Sequence, residues 1–475
     1  MKSIRFLSTL AFASISLASQ AQGDPQTIAR IIDEGKNHSQ AMSILTHITK
    51  KIGPRLTGSN KLARGEEWAM SEFRRFGCTN VHLEKWGDVP VGFERGALQT
   101  ARMVAPYDVP MVFTTSSWTN GTNGIVTADA VYAPKTMAEL NERRSELAGK
   151  WVVMPPQAGG RPQPGAPAPA TEASQVAAEL NKMNIAGMIR GSRNELVITG
   201  GSWRDKTFES HPGAVSVLVR KSDYDRITRN LDWKRKVVLA IGAENHWIKG
   251  PMPQHVVVAE IKGTEKPEEV VIVSGHFDSW DGPGSEGASD NGTGSATALE
   301  AARILNKVGA KPKRTIRFIL WTGEEQGLYG STEYVKQHAG ELDKISAVLV
   351  DDGGSNYQGG YVVLESMKPM FEQAIAPMLT AFPDYPQVLR VVPTMPRGGG
   401  SDHVPFNNAG VPGFFTMETG KQDYNFVHHT QHDHLGNVIP EYIVQSATNH
   451  AVVAYNLACA ATMVPRAPKP APAGG

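Results

Sequence analysis

Hydrophobic patterning divides the chain into three textures. In the second half, "EVVIVSG", "RTIRFILW" and "ISAVLV" are short, β-branched and almost continuously apolar, as strands buried on both faces are. They alternate with "ATALEAARILNKVG", whose apolar positions recur at helical spacing until Gly309. A longer amphipathic helix, "PEYIVQSATNHAVVAYNLACAATMV", closes the pattern. Alternation of this kind predicts an α/β fold with a sheet covered on both sides. Residues 25 to 75 also read as helices, through "IARIIDEG" and "AMSILTHITKKIG", with the Pro/Gly turn "GPRLTGS" at 53 to 59.

Between about residues 95 and 245 the texture changes to short β-like runs, among them "GIVTADAVYA", "KWVVM", "AGMIR", "VSVLVR" and "VVLAIG". This stretch contains "PPQAGGRPQPGAPAPA" at 155 to 170, too rich in proline and glycine for regular structure. The expected organisation is a main domain from 22–95 and 246–463, with a separate, mostly β module inserted at 96–245. The tail 464–475, "PRAPKPAPAGG" in the main, is expected to be disordered.

A length of 475 residues exceeds one ordinary core, in keeping with two domains. The 48 basic and 47 acidic side chains leave a net charge of +1, so there is no polycationic field for nucleic acid or anionic membrane, and neither is an expected partner. The opening "MKSIRFLSTLAFASISLASQAQ" has two basic residues, a short apolar stretch and small residues Ser19 and Ala21. It reads as an export signal cut after Ala21, which predicts a secreted or periplasmic protein. The two cysteines, Cys78 and Cys459, have no metal-binding or redox spacing, and whether they pair is left open.

Candidate chemistry gathers at the ends of the predicted strands. His276 and Asp278 follow "VIVSG", Asp290 precedes a helix in "GASDNGTG", and Glu324 with Glu325 follow "ILWTG". Asp351 and Asp352 follow "AVLV", Asp402 and His403 lie in "GGGSDHVPF", and "FVHHTQHDHL" packs four histidines into a short loop. Singly, these are helix caps, turn residues or surface polar groups. Jointly they form an imidazole and carboxylate set without thiolate, which suits catalytic zinc. One carboxylate shared by two ions roughly 3.5 to 4 Å apart gives a two-metal site. Such a site also needs one unligated carboxylate to take a proton, and paired glutamates can supply one of each kind.

"GHFDSWDG", "SDNGTG", "LWTGEEQGLYGS", "VDDGGSN", "SDHVPF" and "HHTQHD", in this order, resemble the co-catalytic zinc exopeptidase family of bacterial leucine aminopeptidases and glutamate carboxypeptidase, with the carboxypeptidase Q branch most similar. The resemblance implies a three-layer zinc exopeptidase fold with a mostly parallel mixed sheet, and identifies 96–245 as an inserted protease-associated domain. It implies two zinc ions, one held by Asp290, Glu325 and His429 and the other by Asp290, His276 and Asp352. Asp351 is the alternative to Asp352, and the glycines after Asp352 favour the latter. Glu324 is then the general base on a water bridging the ions, and Asp278 the carboxylate that orients His276. Asp402 and His428 are expected beside the centre, and Arg397 to contact a substrate carboxylate or to be a plain surface residue. The peptide bond from Asp290 to Asn291 is expected to be cis.

These readings converge on a metallo-exopeptidase acting on short peptides, as an aminopeptidase or dipeptidase. Alternatives are a carboxypeptidase or a non-catalytic receptor-like module on the same scaffold. The latter should have lost ligands or base, whereas all six positions here hold competent residues. The expected partner is a short peptide substrate, with a homodimer left open.

Overall fold

The computed structural model describes residues 22–156, 171–209 and 213–466. The expected export signal, most of the proline-rich loop and most of the expected tail lie outside the described residues. Lys266–His276, Arg314–Trp321, Ile345–Val350 and Gly413–Thr419 run parallel at the heart of a mixed sheet. Val238–Ile261 flanks them antiparallel beside Arg314–Trp321, and Tyr357–Val363 beside Gly413–Thr419.

Successive side chains of these strands enter different cores, which is why runs within them are almost continuously apolar. Val271, Val273, Phe318, Leu320, Ala347 and Leu349 pack with the helices Thr293–Lys307 and Pro440–Cys459 and with the amino-terminal helices. Their neighbours Val270, Ile272, Ile319, Val348 and Val350 pack on the opposite face with Tyr334 and Phe406. Those two come from the helices Tyr329–Gln337 and His403–Asn408. Two of the amino-terminal helices, Pro25–Asn37 and Asn60–Phe76, start on side-chain caps, Asp24 accepting from the Thr27 amide at 2.7 Å and Ser59 from the Leu62 amide at 3.1 Å.

Thr79–Ala105 and Val238–Ile261 form one long antiparallel ribbon, paired from Thr79 with Glu260 to Ala105 with Val238. The ribbon leads to a second group of strands. There Val126–Tyr132, Trp151–Val153, Gly187–Gly191 and Ser216–Val219 run parallel, with Phe113–Thr115 antiparallel at the end. They enclose their own core, including Trp151, Ile189, Val217 and Leu239. The stretch expected to be mostly β also carries the helices Met137–Leu147, Glu172–Leu180 and Lys221–Asp232. In Met137–Leu147 only Leu140 and Leu147 are buried, so its apolar recurrence is too sparse to mark a helix in the sequence. Cys78 and Cys459 are both buried free thiols. Among the described residues, no helix is long and apolar enough to cross a membrane.

One buried carboxyl ties this fold to pH. Glu66, in the helix Asn60–Phe76, is buried with its Oε2 3.6 Å from His255 Nδ1, and burial pushes it up to about 7. Between its ordinary value of 4.5 and about 7, the folded chain keeps a proton that the unfolded chain releases. Its contribution to stability is therefore full below that window and falls as pH rises through it. Glu66→Gln should raise the thermal unfolding midpoint at pH 8 by about 2 to 4 °C, with the gap closing toward pH 5. Equal midpoints at pH 8 would contradict this.

Candidate metal centre

Strand register brings the candidate residues to one edge. His276 is the last residue of Lys266–His276 and lies opposite Trp321, the last of Arg314–Trp321, while Val350 pairs with Ser274. Parallel strands present their carboxyl ends together, so Glu324, Glu325, Asp351 and Asp352 emerge beside His276. The turn after Trp321 requires Gly323, whose φ is +74° and where a Cβ would stand 2.8 Å from the Trp86 ring. Asp290 enters from the side, in the turn Ala288–Gly292 before the helix Thr293–Lys307, and its bond to Asn291 is cis. Asn291 donates from Nδ2 to the Asp351 carbonyl at 2.7 Å, which links this turn to the neighbouring strand end. Gly294 follows, where a Cβ would stand 2.1 Å from that same carbonyl oxygen.

Asp290 faces two groups of donors, one with each oxygen. Its Oδ1 is 3.3 Å from His276 Nε2, which is 3.0 Å from Asp352 Oδ1. Its Oδ2 is 3.1 Å from His429 Nε2, which is 2.9 Å from Glu325 Oε2. Donors about 2.0 to 2.2 Å from a shared zinc stand roughly 3 to 3.5 Å from each other, and His276, Asp290 and Asp352 form a compact group of this chemistry. Around His429 the compact group is Asp290, His428 and His429, with Glu325 reaching it through His429. Glu324 is nearby but less engaged, with Oε2 4.0 Å from His276 Nε2.

The paired residues separate in space. Asp351 turns its Oδ2 away to accept from Gln358 Nε2 at 2.7 Å, while Asp352 joins the donor group. His428 stacks on His429 with ring centroids 3.7 Å apart and Nε2 3.7 Å from Asp290 Oδ2, but its side chain is 44% exposed against 26% for His429. His276 Nδ1 stands 2.9 Å from the Asp278 carbonyl oxygen and 3.6 Å from its Oδ1, while Asp278 Oδ2 accepts from Thr57 at 2.7 Å. Asp402 is fully buried, and Arg397 is exposed on the loop that leads to it.

So many buried carboxylates strain each other's ionisation. Burial, with Asp352 and Asp402 nearby, holds the Glu324 carboxyl well above its usual range, and burial beside Asp290 pushes Glu325 up to about 7. Burial likewise pushes Asp402 up to about 7. For His276 and His429, burial works against a charged ring, but the carboxylates outweigh it. His276, beside Asp352 and Glu324, lies well above its usual range, and Glu325 and Asp290 push His429 up to about 11. Burial works against an ionised Asp290 too, yet those two rings hold it well below the usual carboxylate range.

Sequence reasoning passed over several residues. Glu418 lies near the end of Gly413–Thr419, and its buried carboxyl oxygens face Asp351 and Asp352. That strand is parallel to Ile345–Val350, so the same edge rule could have found it. Trp280 donates its amide to Glu325 Oε1 at 3.2 Å and sets its ring edge-on to His429 at 6.0 Å. The Asp433 carboxylate accepts from the Ser289 amide at 2.6 Å, next to Asp290.

This sheet, with histidine and carboxylate donors gathered at its carboxyl edge, defines a metallopeptidase of the zinc-dependent exopeptidase class. The profile described as Peptidase family M28 matches residues 256–454. Carboxypeptidase Q of Mus musculus is 30% identical over 436 residues, covering 91% of this chain and 88% of that protein. Carboxypeptidase Q of Homo sapiens is 29% identical over 442 residues, with 91% and 88% covered. Among solved structures, a peptidase M28 precursor from Shewanella amazonensis SB2B aligns with TM-score 0.65 and 25% identity, over 94% of this chain and 99% of that one. A zinc aminopeptidase from Bacillus subtilis shares the fold, with TM-score 0.56 and 20% identity over 88% of this chain and 94% of that one. The chain belongs to peptidase family M28.

Metal uptake should be linked to protons. In chain stripped by chelation, the His276 and His429 rings carry protons at pH 7, and a ring must shed its proton to bind metal. Zinc titrated calorimetrically at pH 7 in buffers of different ionisation enthalpy should show release of at least about two protons per chain, from the two rings and from the glutamates that hold protons without metal. A heat independent of buffer would contradict these ring states.

Proposed function

We propose that the chain is a secreted exopeptidase that holds two zinc ions and removes residues from the amino end of short peptides. The observation that carries this is the position of Asp290, with one carboxylate oxygen toward His276 and Asp352 and the other toward His429 and Glu325. In this reading Asp290, Glu325 and His429 would hold one ion, and Asp290, His276 and Asp352 the other. Zinc bound there would supply a Lewis acid for the scissile carbonyl and make a water more acidic.

Glu324 is the group left to move the proton. Its environment raises its affinity for one, so it can take a proton from the attacking water and deliver it to the departing amine. Asp278 fixes the His276 ring through its carbonyl oxygen, with its carboxylate farther off at 3.6 Å. Asp402 and His428 border the centre, and Arg397 is free to meet a substrate group at the rim.

A cleft of about 370 Å³ runs along the loop that carries Asp402. Met395, His403, Phe415 and Met417 are among its walls, and Gly399 and Gly400 leave it open. Its mainly apolar walls suit an apolar side chain of the terminal residue. The excess of carboxylates favours a free α-amine over a carboxylate at the end held by the centre. Residues 96–245, read as a protease-associated domain, meet the His429 loop through Thr199, and in this reading they would wall one side of the site and favour a terminal residue over a continuing chain. The name carboxypeptidase Q, borne by the Mus musculus relative, favours a second reading in which the C-terminal residue is released.

Glu324→Gln should keep two zinc ions by metal analysis while turnover falls by a factor on the order of 10² to 10⁴. Glu325→Gln should lose metal as well. Near-normal turnover in the Glu324 variant would remove it from the base role.

A peptide panel tests the end of attack. Dipeptides and aminoacyl arylamides with apolar first residues should be cleaved, and their N-acetyl forms should not. Release of the C-terminal residue from N-acetyl peptides would establish the carboxypeptidase reading instead, and internal cleavage of casein would overturn both.

A further inference from the structure

The two donor groups around Asp290 are braced by different parts of the chain. His276 and Asp352 sit on ends of adjacent central strands, where Ser295 Oγ donates to the His276 carbonyl at 2.6 Å. His429 and Glu325 sit on loops, and His429 has φ +61°, a left-handed conformation that a side chain other than glycine adopts at a cost.

A segment from the second group of strands, residues 195–204, grips both loops. The Thr199 amide donates to the His429 carbonyl at 2.9 Å, and Ile198 forms an antiparallel bridge with Thr430. Gln431 accepts from the Val197 amide at 2.9 Å and donates to the Glu195 carbonyl at 3.0 Å. On the other loop, Arg204 donates to the Gln326 carbonyl at 3.3 Å and to the Tyr329 hydroxyl at 3.0 Å, just beyond Glu325. Trp203 packs on Tyr329 and edge-on to Trp118, which meets Trp280 against His429. The segment is itself anchored by Thr199, whose hydroxyl is 2.8 Å from that of Thr114 in a buried contact.

We infer that residues 195–204 are a positioning clamp for one metal site only, that of Asp290, Glu325 and His429. The inference rests on the two-ion reading. The backbone bonds at 197 and 199 hold the His429 loop in its left-handed turn, and Arg204 holds the loop after Glu325. Loosening the clamp therefore weakens one site and leaves the other on its rigid strand ends. The two ions should then leave the protein in separate kinetic phases, with the clamp setting only one of them.

The test follows zinc release from the fully loaded chain into a chromogenic chelator, for the parent, Gln431→Ala and Arg204→Ala. Arg204 is exposed, so its truncation should leave the unfolding midpoint near that of the parent. In both variants one equivalent should leave about 10- to 100-fold faster, the range typical of lost ligand support, while the second keeps the parental rate. Both phases accelerating together, or neither, in a parent that holds two equivalents would overturn the clamp alone. A parent that holds one equivalent would overturn the two-ion reading and the clamp with it.

Discussion

Mutual repulsion among buried carboxylates is the constraint around which the rest of the chain is arranged. Asp290, Asp352, Glu324 and Glu325 converge where water is largely excluded, and burying an ionised carboxylate without a partner costs several kcal/mol. His276 and His429 can offset two of those charges only when protonated, which is the state their surroundings favour in the metal-free chain. Four carboxylates against two imidazolium rings still leave a deficit of positive charge, and Glu324 and Glu325 reduce it by holding protons. In the two-ion reading, two divalent cations balance four carboxylates while both rings become neutral ligands. The residues that make the site costly without metal are those that would make it tight with metal.

Such crowding persists only on a frame stable enough to impose it. Here the frame is the parallel centre of the sheet, whose strands bury alternate side chains in two separate cores. Each strand delivers one or two polar residues where its apolar run stops, and register fixes which end faces which. Asn291, joined to the Asp351 carbonyl, and the near contact of Gly294 with that oxygen hold the Asp290 turn against the same edge. A frame built this way can place donors from segments far apart in sequence, because their positions are set by packing elsewhere.

Legibility in the sequence followed the same physics. Apolar runs such as "EVVIVSG" and "ISAVLV" announced strands because burial on both faces leaves no polar alternation, and a residue at the end of such a run is visible as a candidate ligand. His276, the aspartate pair and the glutamate pair were readable as candidates for that reason, while the choice of Asp352 over Asp351 came from the resemblance. Glu418 was not, because the intermediate exposure of Phe415 and Met417 gives "GFFTMET" no clean pattern, although its strand end shares the edge. The helix Met137–Leu147 was hidden by its charged surface. The contacts of residues 195–204 were beyond any local reading, since backbone amides meeting a distant loop carry no signature in residue type.

The same balance bears on which end of a peptide the centre receives. Two cations would offset the four nearest carboxylates and leave Asp402 and Glu418 just outside them, groups that burial pushes toward the neutral form in the metal-free chain. A carboxylate arriving at the centre would add to a region where acidic groups already retain protons to limit repulsion. An α-ammonium arriving there does the opposite, since it stabilises ionised neighbours and lets them accept its hydrogen bonds. In the proposed two-ion reading, a preference for a free amine would follow from acidic groups beyond those the metals offset, without a dedicated recognition residue.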